Sequence, residues 1–348
     1  MRHGKKLTVL VGTLIVCFLF SGSFFINEGK CADKPSKAKL RMVGTLPLDH
    51  YFTTALKDFK KNAETRSNGT LTVDIFPASQ LYNDRDLVKV MPKGAVDMGV
   101  GQSDMWTGLI PILGVLNLYN YYDSLEHLVT LARYLKPTIS KEYEKKANLK
   151  LLGYVFYDAP TISSRKAIRK LEDFRGVKLR AGGEYQGVFM QSVGASPILM
   201  SSGEVYDAIQ KGTIDGCFSG STSQLARKFY EVTHYLISSP SMFIPTVVYE
   251  TLINCDSWNK LSPELQKNLQ EASDKMETQT MDLLAKETNS AHNIMSSKGL
   301  KIADFSSEEK ERVKAVVRPA VAKKFTERTG ADHAAPLLKK LDELREQK

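Results

Sequence analysis

The sequence is poor in the residues that carry most metal and redox chemistry. Its 348 residues hold only 4 cysteines and 6 histidines. Cys17 and Cys31 lie in or beside an N-terminal apolar run, which leaves Cys217 and Cys255 for a folded domain, with Cys31 open as a third. They form no C-x-x-C or Cys/His cluster, which leaves neither a zinc site nor a redox motif signalled. A Cys217–Cys255 disulfide suits an oxidising compartment but cannot be read from spacing. His3, His50, His127, His234, His292 and His333 include no pair at metal-ligand spacing and no H-E-x-x-H arrangement. There is no G-x-S-x-G elbow and no Walker loop, and Gly99-Val100-Gly101 lacks the third glycine of a dinucleotide fingerprint. No cofactor or metal is therefore expected, and nothing argues for an enzyme. A stripe of one charge sign is missing too. The 48 Lys and Arg are scattered among 39 Asp and Glu, a solvated mixed surface rather than a nucleic-acid face. Repeats and low-complexity tracts are absent.

Long apolar runs are confined to the N-terminus. Arg2, Lys5 and Lys6 precede an apolar stretch from Leu7 to about Phe25, and small polar residues follow. That three-part pattern predicts a secretory signal peptide over residues 1–32, the alternative being a membrane anchor. Ala32 suits the last removed position, although Lys30 fits poorly two places earlier. Val16 and Lys30 argue against lipidation at Cys17 or Cys31. Removing 1–32 deletes Arg2, Lys5, Lys6 and Lys30 against Glu28, so the net charge falls from +9 to +6. The mature chain is expected in the periplasm, with no further membrane span.

After a linker at 33–39, short apolar runs alternate with amphipathic segments. Strands are expected at Leu40 to Gly44, Leu71 to Phe76 and Ala95 to Gly99, with helices at about Tyr51 to Thr65 and Asp84 to Met91. Asn68-Gly69-Thr70 fits a glycosylation sequon but reads better as a turn. The β–α–β rhythm points to parallel strands covered by helices. It resumes with strands at Leu149 to Phe156, Gly176 to Ala181, Pro197 to Met200, Ile214 to Phe218 and Thr246 to Asn254. Ser201 and Glu204 fit a capping box. From Pro263 to about Ser297, Leu265, Leu269, Ala272, Met276, Leu283, Ala291 and Ile294 keep helical spacing with no Gly or Pro. One helix there would run about 50 Å and could brace two domains, unless an unmarked break divides it. A helical hairpin, about Ser307 to Thr329 and Pro336 to Glu346, closes the chain. The resulting picture is two α/β domains with the chain crossing between them more than once.

Phe76-Pro77-Ala78-Ser79-Gln80-Leu81, Asp84-Arg85 and Gly94-Ala95-Val96-Asp97-Met98-Gly99 resemble the solute-binding subunits of TRAP transporters, the DctP-like receptors. Leu171-Glu172-Asp173-Phe174-Arg175-Gly176-Val177-Lys178-Leu179-Arg180 is similar to that family's signature strand. Val193-Gly194-Ala195-Ser196-Pro197, Glu204-Val205-Tyr206, Ile214-Asp215-Gly216 and Trp258 with Leu261-Ser262-Pro263-Glu264 follow in the family's order. The similarity runs from about Leu40 to Lys340. It implies a two-domain α/β fold of the type II periplasmic-binding-protein kind: domain I at 40–157, completed by part of 250–348, and domain II at 158–249. A central cleft, a bracing helix at 263–297 and a C-terminal helical segment at 298–348 complete it. The implied function is capture of a small organic acid by domain closure and its delivery, as a monomer, to membrane permease subunits. A receptor signalling to a membrane sensor, or a periplasmic enzyme on an organic acid, is the rival reading.

The same resemblance implies Arg180 as the carboxylate ligand, since a guanidinium fork matches a carboxylate at any relevant pH. It also points to Thr45, Asp84, Gln102 and Ser219 around the ligand; Tyr157, Asp158 and Phe243 are further lining candidates read from the sequence itself. Phe156, Trp106 and Tyr249 are aromatic candidates. The sequence departs from the pattern in three places. Tyr157-Asp158-Ala159-Pro160 stands where several relatives carry a second arginine, with Arg165 expected to be exposed nearby. Tyr82 replaces a glycine, and Ser202 replaces a bulky aromatic of some relatives. One carboxylate anchor is expected, with the choice between mono- and dicarboxylate open.

Overall fold

The computed structural model describes residues 37–238, 243–244 and 246–346. The expected leader 1–32 and the start of the linker lie outside them. Among the described residues eleven strands form: β1 (Ala38–Val43), β2 (Leu71–Phe76), β3 (Met98–Gln102), β4 (Leu149–Tyr157), β5 (Pro160–Ser164), β6 (Lys178–Ala181), β7 (Ser196–Leu199), β8 (Gly216–Gly220), β9 (Tyr235–Ile237), β10 (Val247–Asn254) and β11 (Lys301–Ala303). They make two sheets, ordered β2-β1-β3-β10-β4 and β11-β9-β5-β8-β6-β7. The lobes built on them are called the first and second below.

The expected parallel rhythm holds for β1 with β2 and β3, and for β6 with β7 and β8. It fails for β10, which runs antiparallel to both β3 and β4. The reason is the crossing. The chain leaves the first sheet at Tyr157 and returns at Val247, and these two residues are paired, so the outgoing and incoming strands must oppose each other. In the second sheet, β5 is likewise antiparallel to β8 and β9.

Helix Tyr51–Arg66 starts where His50 turns the chain, its Nδ1 accepting the Phe52 N–H at 3.1 Å. Phe52, Ala55, Leu56, Phe59 and Ala63 recur at three- and four-residue spacing and are buried against β2 and the long helix. Each buried side chain of Leu or Phe size contributes about 1.5–3 kcal/mol relative to exposure. On the second lobe, Phe189 and Phe218 pack with Tyr119 and Phe243. That leaves Phe243, expected near the ligand, at 1% exposure inside the core.

The long helix is one element, Pro263–Ser297, opened by Ser262 Oγ accepting the Leu265 N–H and by Pro263 in the first turn. Its first half lies on the first lobe. Gln270 donates to Leu152 O, Glu277 accepts from Tyr154 N, and Gln279 donates to Asp58. Its far end reaches the second lobe, where His292 Nε2 stands 2.6 Å from Ser221 Oγ and Ala291 and Met295 pack with Leu236 and Leu300. The closing hairpin is Ser307–Thr329 and Ala331–Glu346. Cys217 and Cys255 are free thiols, and burial pushes that of Cys217 up to about 11.

Candidate functional site

β6 lies between β7 and β8, and its alternation turns Leu179 and Ala181 into the second lobe's core. Arg180 is on the other face, 3% exposed, with Nε donating to Met200 O at 3.1 Å. Its Nη2 faces Asp84 Oδ2 of the first lobe at 3.7 Å. Asp84 is itself held from across the cleft: Oδ1 accepts from Ser201 Oγ at 2.9 Å and Oδ2 from Ser202 N at 3.2 Å. The capping box expected at Ser201 and Glu204 forms beside it.

These groups border a cavity of about 20 Å³ between the lobes, room for about one water. Thr45, Leu46, Gln102, Tyr157, Val247 and Tyr249 line it from the first-lobe side. Ser219, Gly220, Ser223, Gln186 and Ser202 line it from the second. Gln102 is the last residue of the Gly-rich β3, is 6% exposed, and its Nε2 has no hydrogen-bond partner. Leaving a buried amide donor unmade costs about 1–3 kcal/mol, so this donor marks the cavity as a place for an acceptor.

Behind Tyr157 a polar relay crosses from one lobe to the other. His50 Nδ1 accepts the Phe52 N–H, which puts the ring proton on Nε2. Nε2–H therefore donates to Thr222 Oγ1 at 2.8 Å, and Thr222 donates on to Asp158 Oδ1 at 2.7 Å. The Thr222 N–H also donates to Asp158 Oδ2 at 2.9 Å. Burial, helped by the charge of Arg227, pushes the His50 imidazole down to about 3, so it stays neutral. Burial pushes the Asp158 carboxyl up to about 6 against those Thr222 bonds. Asp158 is thus a structural tie at the crossing rather than part of the cavity wall.

Arg227 ends helix Ser221–Ala226. Its Nη2 donates across the cleft to Thr45 O at 3.0 Å and, within its own lobe, to Ser202 Oγ at 3.1 Å, while Nε donates to Ser223 Oγ at 3.3 Å. A second carboxylate spans the lobes at Asp104. It accepts the first N–H groups of helix Glu184–Ser192, from Tyr185 at 2.8 Å and Gln186 at 3.0 Å. A side chain at Gly183 would collide with this carboxylate, so the approach requires glycine. Burial pushes Asp104 up to about 6. Asp104 also borders a larger groove of about 670 Å³ with Val88, Met105 and Leu199, but both of its oxygens are already engaged. Among the described residues no group of His, Cys, Asp and Glu could hold a metal ion, and no helix is long and apolar enough to cross a membrane.

Residues 42–328 match the model of the bacterial extracellular solute-binding protein family 7, DctP. The chain belongs to this family. Its members are solute receptors, not enzymes. The C4-dicarboxylate-binding periplasmic protein DctP of Rhodobacter capsulatus is 26% identical over 285 residues, 80% of this chain and 83% of that protein. Among solved structures, the TRAP periplasmic solute-binding protein of Desulfovibrio salexigens with bound orotic acid superposes with a TM-score of 0.83 at 20% identity. It covers 88% of this chain and 98% of its own. The sugar-acid-binding protein DctPAm of Advenella mimigardefordensis, in complex with galactonate, gives 0.82 at 22% identity, over 88% and 99%. The two-lobed α/β fold is thus that of the TRAP receptors.

Of the residues singled out in the sequence, the DctP-family fold brings Arg180, Gln102, Ser219, Thr45, Asp84 and Tyr157 together on one cavity. Asp158 stands behind it and Phe243 away from it in the core. Tyr249 lines it, whereas Phe156 and Trp106 are core. Arg165 is exposed. Gln186, Ser223 and Arg227 are not among the residues the sequence singles out. Gln186 and Arg227 reach the site from helices packed onto the second sheet, and neither carries a motif.

Proposed function

We propose that this receptor captures a small organic acid by its carboxylate and presents it to the membrane subunits of a TRAP-type permease. The observation that carries this is the pairing, on opposite lobes of one cavity, of the buried Arg180 guanidinium with the unpartnered Gln102 Nε2. A carboxylate oxygen accepts from both kinds of donor, and an N–H donor aimed from each lobe makes binding and closure the same event. Arg180 fixes the acid, Gln102 and Ser219 read the remainder, and Thr45, Asp84 and Tyr157 complete the wall. The acids in the related structures, orotate and galactonate, share the carboxylate and little else. Residues 40–157 and 158–249 act as the two halves of the clamp, and helix Pro263–Ser297 limits their angle. One chain supplies the whole cavity, which suits a monomer. Residues 1–32 serve as the export signal to the periplasm.

The test is a thermal-shift screen of the mature protein, unfolded and refolded to strip it, against orotate, D-galactonate, D-glucuronate and pyroglutamate. A ligand at 100 times its Kd adds about 2.7 kcal/mol to native-state stability. A shift with one or more acids that disappears in Arg180→Ala is the expected result. No shift with any acid, or shifts unaffected by Arg180→Ala, would overturn the reading.

A further inference from the structure

Arg180 is not a free cation. Its side chain is 4% exposed, that of Asp84 10%, and the two face each other at 3.7 Å, so within the cavity wall their charges largely cancel. Arg227 is different. Its three hydrogen bonds end on neutral oxygens: a carbonyl of Thr45 and the hydroxyls of Ser202 and Ser223. Among the described residues it pairs with no carboxylate. Three of the residues it touches or neighbours in this circuit, Thr45, Ser202 and Ser223, line the cavity. The circuit is continuous: Arg227 to Ser202, Ser202 to Asp84, Asp84 to Arg180. A largely buried cation without a carboxylate bonded to it is costly to keep: burial holds this guanidinium below its ordinary value, the charge of Asp84 opposing that and the charge of Arg180 adding to it.

Building on the carboxylate reading, we propose that Arg227 is a specificity-determining positioning residue: it supplies the uncompensated positive charge that makes this cavity select an anion. Arg180 shapes the contact with the acid group; Arg227 sets the field in which that group is the missing counterion. The site as built carries two guanidiniums and one carboxylate, so it matches a ligand with a single acid group. The hydroxyl or amide groups of such a ligand would meet Asp84, Gln102 and Ser219. A second carboxylate on the ligand would find Asp84 rather than a cation. Arg227 does this from a helix end, not from the strand exit where the sequence lacks its second arginine.

The experiment uses the full mature chain, with titration calorimetry and stopped-flow binding of orotate, D-galactonate and D-glucuronate. Wild type, Arg227→Lys and Arg227→Gln are compared at low salt and at about 0.3 M, where the screening length is short. Arg227→Gln keeps hydrogen-bonding capacity but removes the charge, and should weaken acid binding on the order of tenfold while flattening the fall of the association rate with salt. Arg227→Lys should retain the salt dependence and most of the affinity. Affinity within twofold of wild type in Arg227→Gln, or equal losses in the Lys and Gln variants, would overturn the assignment while leaving the carboxylate reading intact. If no acid binds the wild type, the carboxylate reading fails first and this assignment falls with it.

Discussion

Replacing Arg180 should do more than remove a ligand contact, because it strands Asp84. At 3.7 Å and an effective dielectric near 20, the attraction between the two charges is about 4.5 kcal/mol. The bonds from Ser201 and Ser202 to Asp84, and from Arg180 to Met200 O, compensate part of any loss. Arg180→Met should therefore destabilise the fold by about 2.5 kcal/mol, since a carboxylate buried on a cavity wall loses its cation. Asp84→Asn should cost about 1.5 kcal/mol. The double variant, with no net charge left behind, should cost only about 1 kcal/mol, giving a coupling energy near 3 kcal/mol. Calorimetric or denaturant unfolding of all four proteins without added acid measures the cycle. At about 2 °C per kcal/mol for a chain of this size, Arg180→Met should melt about 5 °C below wild type and the double variant about 2 °C below. Acid binding should be lost in both. If the double variant is as unstable as Arg180→Met, the two side chains are not coupled. The charge accounting at the cavity would then be wrong.

Two other outcomes follow from groups that join the lobes. A methyl at Gly220 would meet the Tyr157 ring and the Asp158 carboxylate, both fully buried, so Gly220→Ala should cost about 2–3 kcal/mol in unfolding experiments; a neutral result would mean the crossing is loosely packed. Asp104 has a folded value near 6 against about 3.9 unfolded, so the folded state binds the proton more readily between those values. Its contribution to stability therefore rises, by about 1.3 kcal/mol, as pH falls from 7 to 5. Asp104→Asn should lack that increment when its stability is compared with wild type at the two pH values. An identical pH dependence in both proteins would refute the burial argument.

The parts of the fold visible in the sequence are those with local causes. Ser262 and Pro263 open the long helix and Gly299 closes it, and the apolar spacing between them is unbroken. The Ser201–Glu204 cap is likewise a contact between near neighbours. Direction along a sheet is not local. An apolar run such as Val247–Asn254 reads the same whether its neighbour is parallel or opposed, and only the crossing at Tyr157 decides. Helix Leu125–Ala147 has no clear sequence signal, because Pro137 lies inside the element that Ser124 caps. At the site, Arg180 and Gln102 could be placed because each follows or ends a strand. Phe243 looked like a lining aromatic, but its ring is claimed by Phe189 and Phe218. Arg227 had no signal, since its role depends on Thr45, 182 positions away in the chain.

Helix Pro263–Ser297 is joined to β4 at one end and to Ser221 at the other, with no Gly or Pro between its first turn and its end. A rod clamped to both jaws of a tool behaves as a leaf spring. With both contacts held, widening of the cleft would be taken up as curvature shared over the helix's 35 residues rather than as a kink at one point, since no Gly or Pro interrupts it. The restoring force then grows smoothly with angle. Such a clamp has no detent in the open position, and its rest angle follows the length and straightness of one helix.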